Sequence, residues 1–249
     1  MCCWYYPGKR FGIAPDIELY IVRANRSIIE SGALKESVTY RRHVNLSTAI
    51  ESCIKARCDI LNFSIGFPEY SNIVQKAIQR AYKSGMIIIA AVGNKYVGSF
   101  FPANFEKYVI GVGALDDCLS LRFDSTVWSS TDIVAPGEDI FSSFFHGELS
   151  GYQYHLWSGT SFASAILTGV VALAKTMCKH QKKDISSTEL ETILKDTADK
   201  TVYDKEKATT FIRQYEPTRK IFRDIGIVLE CRYGAGCVQA DAFIETLQK

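Results

Sequence analysis

Apolar residues recur along this chain in two alternating patterns. Ala49, Ile50, Cys53, Ile54 and Ala56 lie between Ser47 and Arg57 at the spacing of one helix face, with Ser47 placed as a cap and Glu51 in the first turn. Ile73, Val74, Ala77, Ile78 and Ala81 repeat that period between Ser71 and Ser84, and Gly85 supplies a stop. Short unbroken apolar runs alternate with these helices: Asp59 to Ser64, Met86 to Val92, Tyr108 to Leu115 and Asp132 to Ala135. Runs of that length suit strands covered on both faces. Ile17 to Val22 reads as another short strand, entered from the turn Phe11-Gly12-Ile13-Ala14-Pro15. Strands alternating with helices of 11 to 14 residues predict βαβ units and a mostly parallel sheet.

The segments between are polar. Asn25 to Asn45 is expected to be an irregular surface excursion, Thr201 to Glu230 is charged and irregular, and the stretch before Gly159 reads as a loop. Ser186-Ser187-Thr188-Glu189 has the form of a capping box opening a helix to Ala198. No repeat or linker divides the chain, so residues 1–249 read as one domain.

One helix differs from the others. From Ala163 to Cys178 the residues Ile166, Leu167, Val170, Val171, Leu173, Ala174 and Met177 cover nearly every side, as in a helix enclosed by other elements. Gly159-Thr160-Ser161 delivers Ser161 to its first turn. Free N–H groups and the positive dipole end there favour a developing negative charge, which acyl transfer requires near its nucleophile. Taken alone, Ser161 is equally a plain helix cap. Ser64-Ile65-Gly66 and Gly93-Asn94 follow two of the strands, and in parallel sheets ligands bind beyond the strands' carboxyl ends. Three loops therefore meet on one rim.

Composition narrows the picture. The 47% hydrophobic and 22% charged fractions are those of a globular chain, and a net charge of +2 provides no basic field for nucleic acid or a membrane surface. No apolar run reaches the roughly 18 residues that span a bilayer. The first residues lack the form of a signal peptide, and compartment is left open. The eight cysteines form no C-x-x-C pair, which argues against zinc. Cys53, Cys58 and Cys178 read as small buried hydrophobes, while a Cys231–Cys237 bridge stays open. Asn25, Asn45 and Asn62 begin glycosylation-type triplets, the last within an expected strand.

Gly159-Thr160-Ser161-Phe162-Ala163-Ser164 resembles the G-T-S-x-A-S block of the subtilisin-like serine proteases (subtilases). Gly12-Ile13-Ala14-Pro15, Ile60-Leu61-Asn62-Phe63-Ser64-Ile65-Gly66, Ile88-Ile89-Ala90-Ala91-Val92-Gly93-Asn94, Phe101-Pro102-Ala103, Val134-Ala135-Pro136-Gly137 and Tyr233-Gly234-Ala235-Gly236-Cys237-Val238-Gln239-Ala240 resemble further blocks of that family, in order. The resemblance implies a three-layer α/β fold, with helices on both faces of a mostly parallel sheet, that cleaves peptide or protein substrates. It makes Ser161 the nucleophile and gives the oxyanion hole to the Asn94 side chain and the Ser161 N–H. Ser64, Ile65 and Gly66 would pair with the substrate backbone, Ala91, Val92 and Gly93 would wall the specificity pocket, and Thr160 would join the substrate-binding set. No cofactor is implied, and a structural calcium site stays open.

The sequence departs from the family in two places. Ala165 stands where proline is usual, a change that suits a helix. The D-[ST]-G and H-G-T-H blocks that carry the triad's aspartate and histidine precede the G-V-A-P block in the family, and neither occurs here. The expectation is that a preceding segment is missing and that this chain alone is inactive. The alternative is a non-catalytic peptide-binding pseudoprotease. His43, His146, His155 and His180 are all expected at solvent-exposed positions rather than as the base.

Overall fold

The computed structural model describes residues 4–6, 9–24, 35–94, 98, 100–126, 130–145, 152–183, 185–202 and 234–248. His146, Cys231, Tyr233, the Asn25 triplet and residues 203–230 lie outside them.

Four strands, β3 (Ile60–Phe63), β4 (Ile87–Ala91), β5 (Ile110–Leu115) and β6 (Ile133–Pro136), pair in parallel in that order. Phe63 stands beside Ala90, Ala91 beside Val112 and Ala114 beside Ala135. Alternate side chains of a strand leave on opposite faces, and β4 feeds two cores in this way. Ile87 and Ile89 join Val112 and Ile133 beneath α3 (Thr160–His180), together with Leu190 and Leu194 of α4 (Ser187–Asp196) and Phe243 and Leu247 of α5 (Ala240–Gln248). Ile88 and Ala90 join Phe63 beneath Leu46, Ile50 and Cys53 of α1 (Lys35–Lys55) and Val74, Ala77, Ile78 and Ala81 of α2 (Asn72–Lys83). The result is a three-layer α/β architecture with helices on both faces of a parallel sheet. Each fully buried large aliphatic contributes roughly 1.5–3 kcal/mol.

The sheet positions the site. Helix α3 is long and apolar enough to cross a bilayer by length and composition, but two thirds of its apolar window is buried in the protein, making it a core helix. Its first turn lies beside the carboxyl ends of β3 and β4. Gly169 lets Ile13 approach its flank, since a Cβ there would stand 2.8 Å from the Ile13 Cβ. Caps fall where the side chains predict them: Ser71 Oγ accepts the Val74 N–H at 3.4 Å and Ser186 Oγ accepts the Glu189 N–H at 3.1 Å.

Three expectations need correction, and two elements lie outside what the sequence pattern predicts. Ile17 to Val22 forms no ladder: residues 18–24 are irregular, with Leu19, Tyr20 and Ile21 exposed at 48%, 53% and 85%. A strand needs a partner for its backbone groups, and among the described residues none lies alongside. Helix α1 starts at Lys35, so much of the expected excursion is helical and Ser47 is mid-helix. Its buried stripe runs His43, Leu46, Ile50 and Cys53, and a histidine heading that stripe hid its apolar period. The expected loop before Gly159 contains a hairpin, β7 (Ile140–Phe145) against β8 (Tyr152–Trp157), which puts His155 on a strand. Finally, α5 was not anticipated, because its two buried anchors, Phe243 and Leu247, are too few to show a period. The short pair β1 (Trp4–Tyr6) and β2 (Lys9–Phe11) was likewise unforeseen.

Candidate active site

Gly159 opens the site. Its φ of 138° lies in a region that favours glycine, and a Cβ on it would come within 3.0 Å of Asn94 Nδ2. The following residue locks Asn94 in place. Asn94 Oδ1 accepts the Thr160 N–H at 2.9 Å and lies 3.0 Å from Thr160 Oγ1, which in turn accepts the Gly93 N–H at 3.2 Å. A backbone N–H can only donate, so the carboxamide oxygen faces Thr160 and Nδ2 is the unspent end. The Phe162 and Ala163 N–H groups turn back to the Gly159 carbonyl. The Ser161 N–H has no acceptor among the described residues. Two donors, Asn94 Nδ2 and the Ser161 N–H, thus have no acceptor among the described residues, at the start of a buried helix.

Ser161 itself is bound to β3's extension. Its Oγ donates to the Ser64 carbonyl at 3.1 Å, while Ser64 Oγ donates to the Ser161 carbonyl at 2.9 Å. Ser164 Oγ donates to the same Ser161 carbonyl at 3.0 Å. Behind them Asn62 Nδ2 donates to Ser64 Oγ at 3.1 Å, and Thr168 Oγ1 lies 3.1 Å from Asn62 Oδ1 and 2.7 Å from the Ser164 carbonyl oxygen. Asn62, Ser164 and Thr168 form a polar tie between sheet and helix that the sequence reading did not single out. The available signal was Asn62 and Thr168, polar residues set inside apolar runs.

The nine sequence-derived residues do not all face the cleft. Ile65 and Gly66 are exposed and Ser64 half-buried, at the open end of β3. Ala91 is buried, and Val92 packs into the core beneath α1 and α2. Thr160 is fully buried with its polar atoms spent on Gly93 and Asn94, which places it behind the cleft.

Ser161 has no histidine or carboxylate as a hydrogen-bond partner among the described residues. His43 is buried on α1 with its ring 4.7 Å from that of Phe67, and burial lowers its pKa, with Arg42 adding to the effect and Glu69 opposing it. His155 is exposed on β8, its ring 6.5 Å from Trp157, which stacks on Phe162 at 6.3 Å. His180 ends α3, about 30 Å from Ser161 at 1.5 Å of rise per residue. The one grouping of potential metal ligands among the described residues is Asp116, Asp117 and Cys118 on a half-exposed turn, where Asp116 Oδ1 already accepts the Cys118 and Ser120 N–H groups.

The fold is that of the subtilisin-like α/β proteins. It is similar to the PatG macrocyclase in complex with peptide, with a TM-score of 0.69 and 22% identity over 96% of this chain and 63% of that one. It is similar also to the prenylagaramide maturation protease PagA, with a TM-score of 0.64 and 25% identity over 82% of this chain and 67% of that one.

The sequence profile of the subtilase family matches residues 6–215, and the chain belongs to that family. It is 31% identical to subtilisin DY of Bacillus licheniformis over 65% of this chain and 55% of that protein. It is 30% identical to a thermophilic serine proteinase of Bacillus sp. (strain AK1) over 76% of this chain and 42% of that protein. The chain thus spans about half the length of these serine proteases.

Proposed function

We propose that this is a peptide-cleaving domain in which Ser161 Oγ attacks the scissile carbonyl carbon. The Oγ–C bond forms, the carbonyl oxygen becomes an oxyanion held by Asn94 Nδ2 and the Ser161 N–H, and the C–N bond then breaks to leave an acyl-enzyme. The observation that carries this reading is a pair of donors, Asn94 Nδ2 and the Ser161 N–H, with no acceptor among the described residues. A binding module gains nothing from an amide whose oxygen is doubly anchored so that its nitrogen stays available. Substrate would lie along Ser64-Ile65-Gly66 as an added strand, consistent with the exposure of Ile65 and Gly66.

The attacking hydroxyl must lose its proton to a base, and the leaving amine must gain one. The motifs that supply these groups in the family are not among the 249 residues, and Ser161 Oγ donates instead to a main-chain carbonyl, a poor proton acceptor. The 249-residue chain by itself is therefore inactive in this reading. In subtilisin, loss of the histidine lowers turnover by about 2 × 10⁶. The same hydrogen bond favours a second reading, a pseudoprotease that binds peptides without cleaving them.

A fluorophosphonate probe separates the two. The chain alone is expected to label negligibly. Supplying a polypeptide segment that carries the Asp and His blocks should give labelling and casein cleavage, both abolished by Ser161→Ala. Failure of Ser161 to label in the supplemented, folded protein would leave the pseudoprotease reading standing.

A further inference from the structure

The two chain segments assigned to substrate, after β3 and after β4, present bare backbone to each other at Gly66 and Gly93. The gap between them holds the side chain of Phe100. A Cβ on Gly93 would lie 3.0 Å from Phe100 Cδ2 and 3.3 Å from its Cγ; one on Gly66 would lie 3.5 Å from Phe100 Cβ. The far end of the ring reaches Gly98, whose Cβ would stand 3.1 Å from Phe100 Cε2. The ring therefore runs from Gly66 past Gly93 to Gly98, in the space that a substrate side chain entering between the two segments would need.

Phe100 is held there by its neighbours. The adjoining Phe101 exchanges two backbone hydrogen bonds with Phe67, at 3.0 and 2.9 Å, which fixes the segment against the residue after Gly66. The Phe100 carbonyl accepts the Asn104 N–H at 2.9 Å. On the other side of Gly93 the wall is closed: the Gly93 carbonyl accepts the Thr126 N–H at 2.9 Å, and Thr126 Oγ1 lies 3.1 Å from where a Gly93 Cβ would be. A ring pinned at its backbone, with a hydrogen-bonded wall beyond it, cannot be pushed aside cheaply.

We infer that Phe100 fills the specificity pocket and restricts the residue supplying the scissile carbonyl to glycine, alanine or serine. This rests on the peptide-cleft reading of the site. Glycine at 66 and 93 brings the ring close to both segments, leaving room for a hydrogen, methyl or hydroxymethyl group but not for a second ring. Apolar pockets discriminate by about 10–200-fold per methylene, so the excess of a phenylalanine side chain over an alanine methyl exceeds tenfold discrimination easily.

The test uses the 249-residue chain and two fluorescein-labelled hexapeptide amides identical except for a terminal Ala or Phe, titrated by fluorescence anisotropy. The Ala peptide should bind at least about tenfold more tightly. Phe100→Gly should bring the Phe peptide to the affinity of the Ala peptide or beyond, and Phe100→Leu should fall between. Equal binding of both peptides to the unaltered chain overturns the role of Phe100 and leaves the cleft reading intact. Discrimination that survives in folded Phe100→Gly overturns it as well. Binding of neither peptide overturns the cleft reading and this inference with it. If Phe100→Gly does not fold, the ratio measured on the unaltered chain decides alone.

Discussion

Ser161 and Ser64 are joined twice: the Ser161 hydroxyl donates to the Ser64 carbonyl and the Ser64 hydroxyl donates to the Ser161 carbonyl. One bond uses the Ser161 hydroxyl proton and a main-chain acceptor; the other is made by the Ser64 side chain. They separate by mutation. Ser64→Ala should cost about 0.5–1.5 kcal/mol in a urea titration, through the lost tie to Ser161 and Asn62. Fluorophosphonate labelling should stay as slow as before, because the carbonyl that holds Ser161 Oγ remains. A rise in labelling on Ser64→Ala would show that the side chain restrains the nucleophile.

Asn94 and Thr160 should behave as donor and positioner. In a supplemented, active protein Asn94→Ala should lower turnover by about 10²–10³ with little change in KM. Thr160→Val keeps the backbone N–H on Asn94 Oδ1 but removes the hydroxyl that joins Asn94 to Gly93. Its turnover should fall less, and a Thr160→Ser variant should recover most of the loss. Equal losses for valine and serine would show that the hydroxyl is not what positions Asn94.

His43 links stability to pH. Burial against Phe67 lowers its pKa below the ordinary value of 6.5, so the fold favours the neutral ring. Its contribution is fully present above about pH 6.5 and is lost as pH falls through the lowered value. Arg42 works with burial and Glu69 against it. Urea midpoints for the wild type should drop as pH falls below about 6.5, and His43→Leu should flatten that drop. Parallel pH profiles for the two proteins would count against the assignment.

The segment around Tyr20 should govern association. Leu19, Tyr20 and Ile21 stand exposed together, and β3, an edge strand of its sheet, pairs only with β4 among the described residues. Exposed apolar clusters and open strand edges recruit other chains. Light scattering on the 249-residue chain should show oligomers, and the double substitution Tyr20→Lys, Ile21→Lys should shift it toward monomer. A wild-type monomer at about 100 μM would remove the basis for this expectation.

Periodicity made α2, α4 and the strands β3 to β6 legible in the sequence, because each keeps its apolar residues in a local pattern that decides its partner face. The block around Ser161 was legible for the same reason: a glycine, a serine and a helix apolar all round are local facts. Where the pattern depended on a distant neighbour, the sequence misled. Leu19-Tyr20-Ile21 has strand composition, but a strand exists only with a partner for its backbone groups. His43 looks like a surface residue until Leu46, Ile50 and Phe67 surround it. The hairpin β7–β8 and its stack of Trp157 on Phe162 need two segments in register. Thr160 reads as a cleft residue beside Ser161, yet the turn at Gly159 directs it backward onto Asn94. Phe100 carries no motif at all; its meaning comes from lying across Gly66 and Gly93, two positions on different strand ends that only the parallel pairing of β3 with β4 brings together.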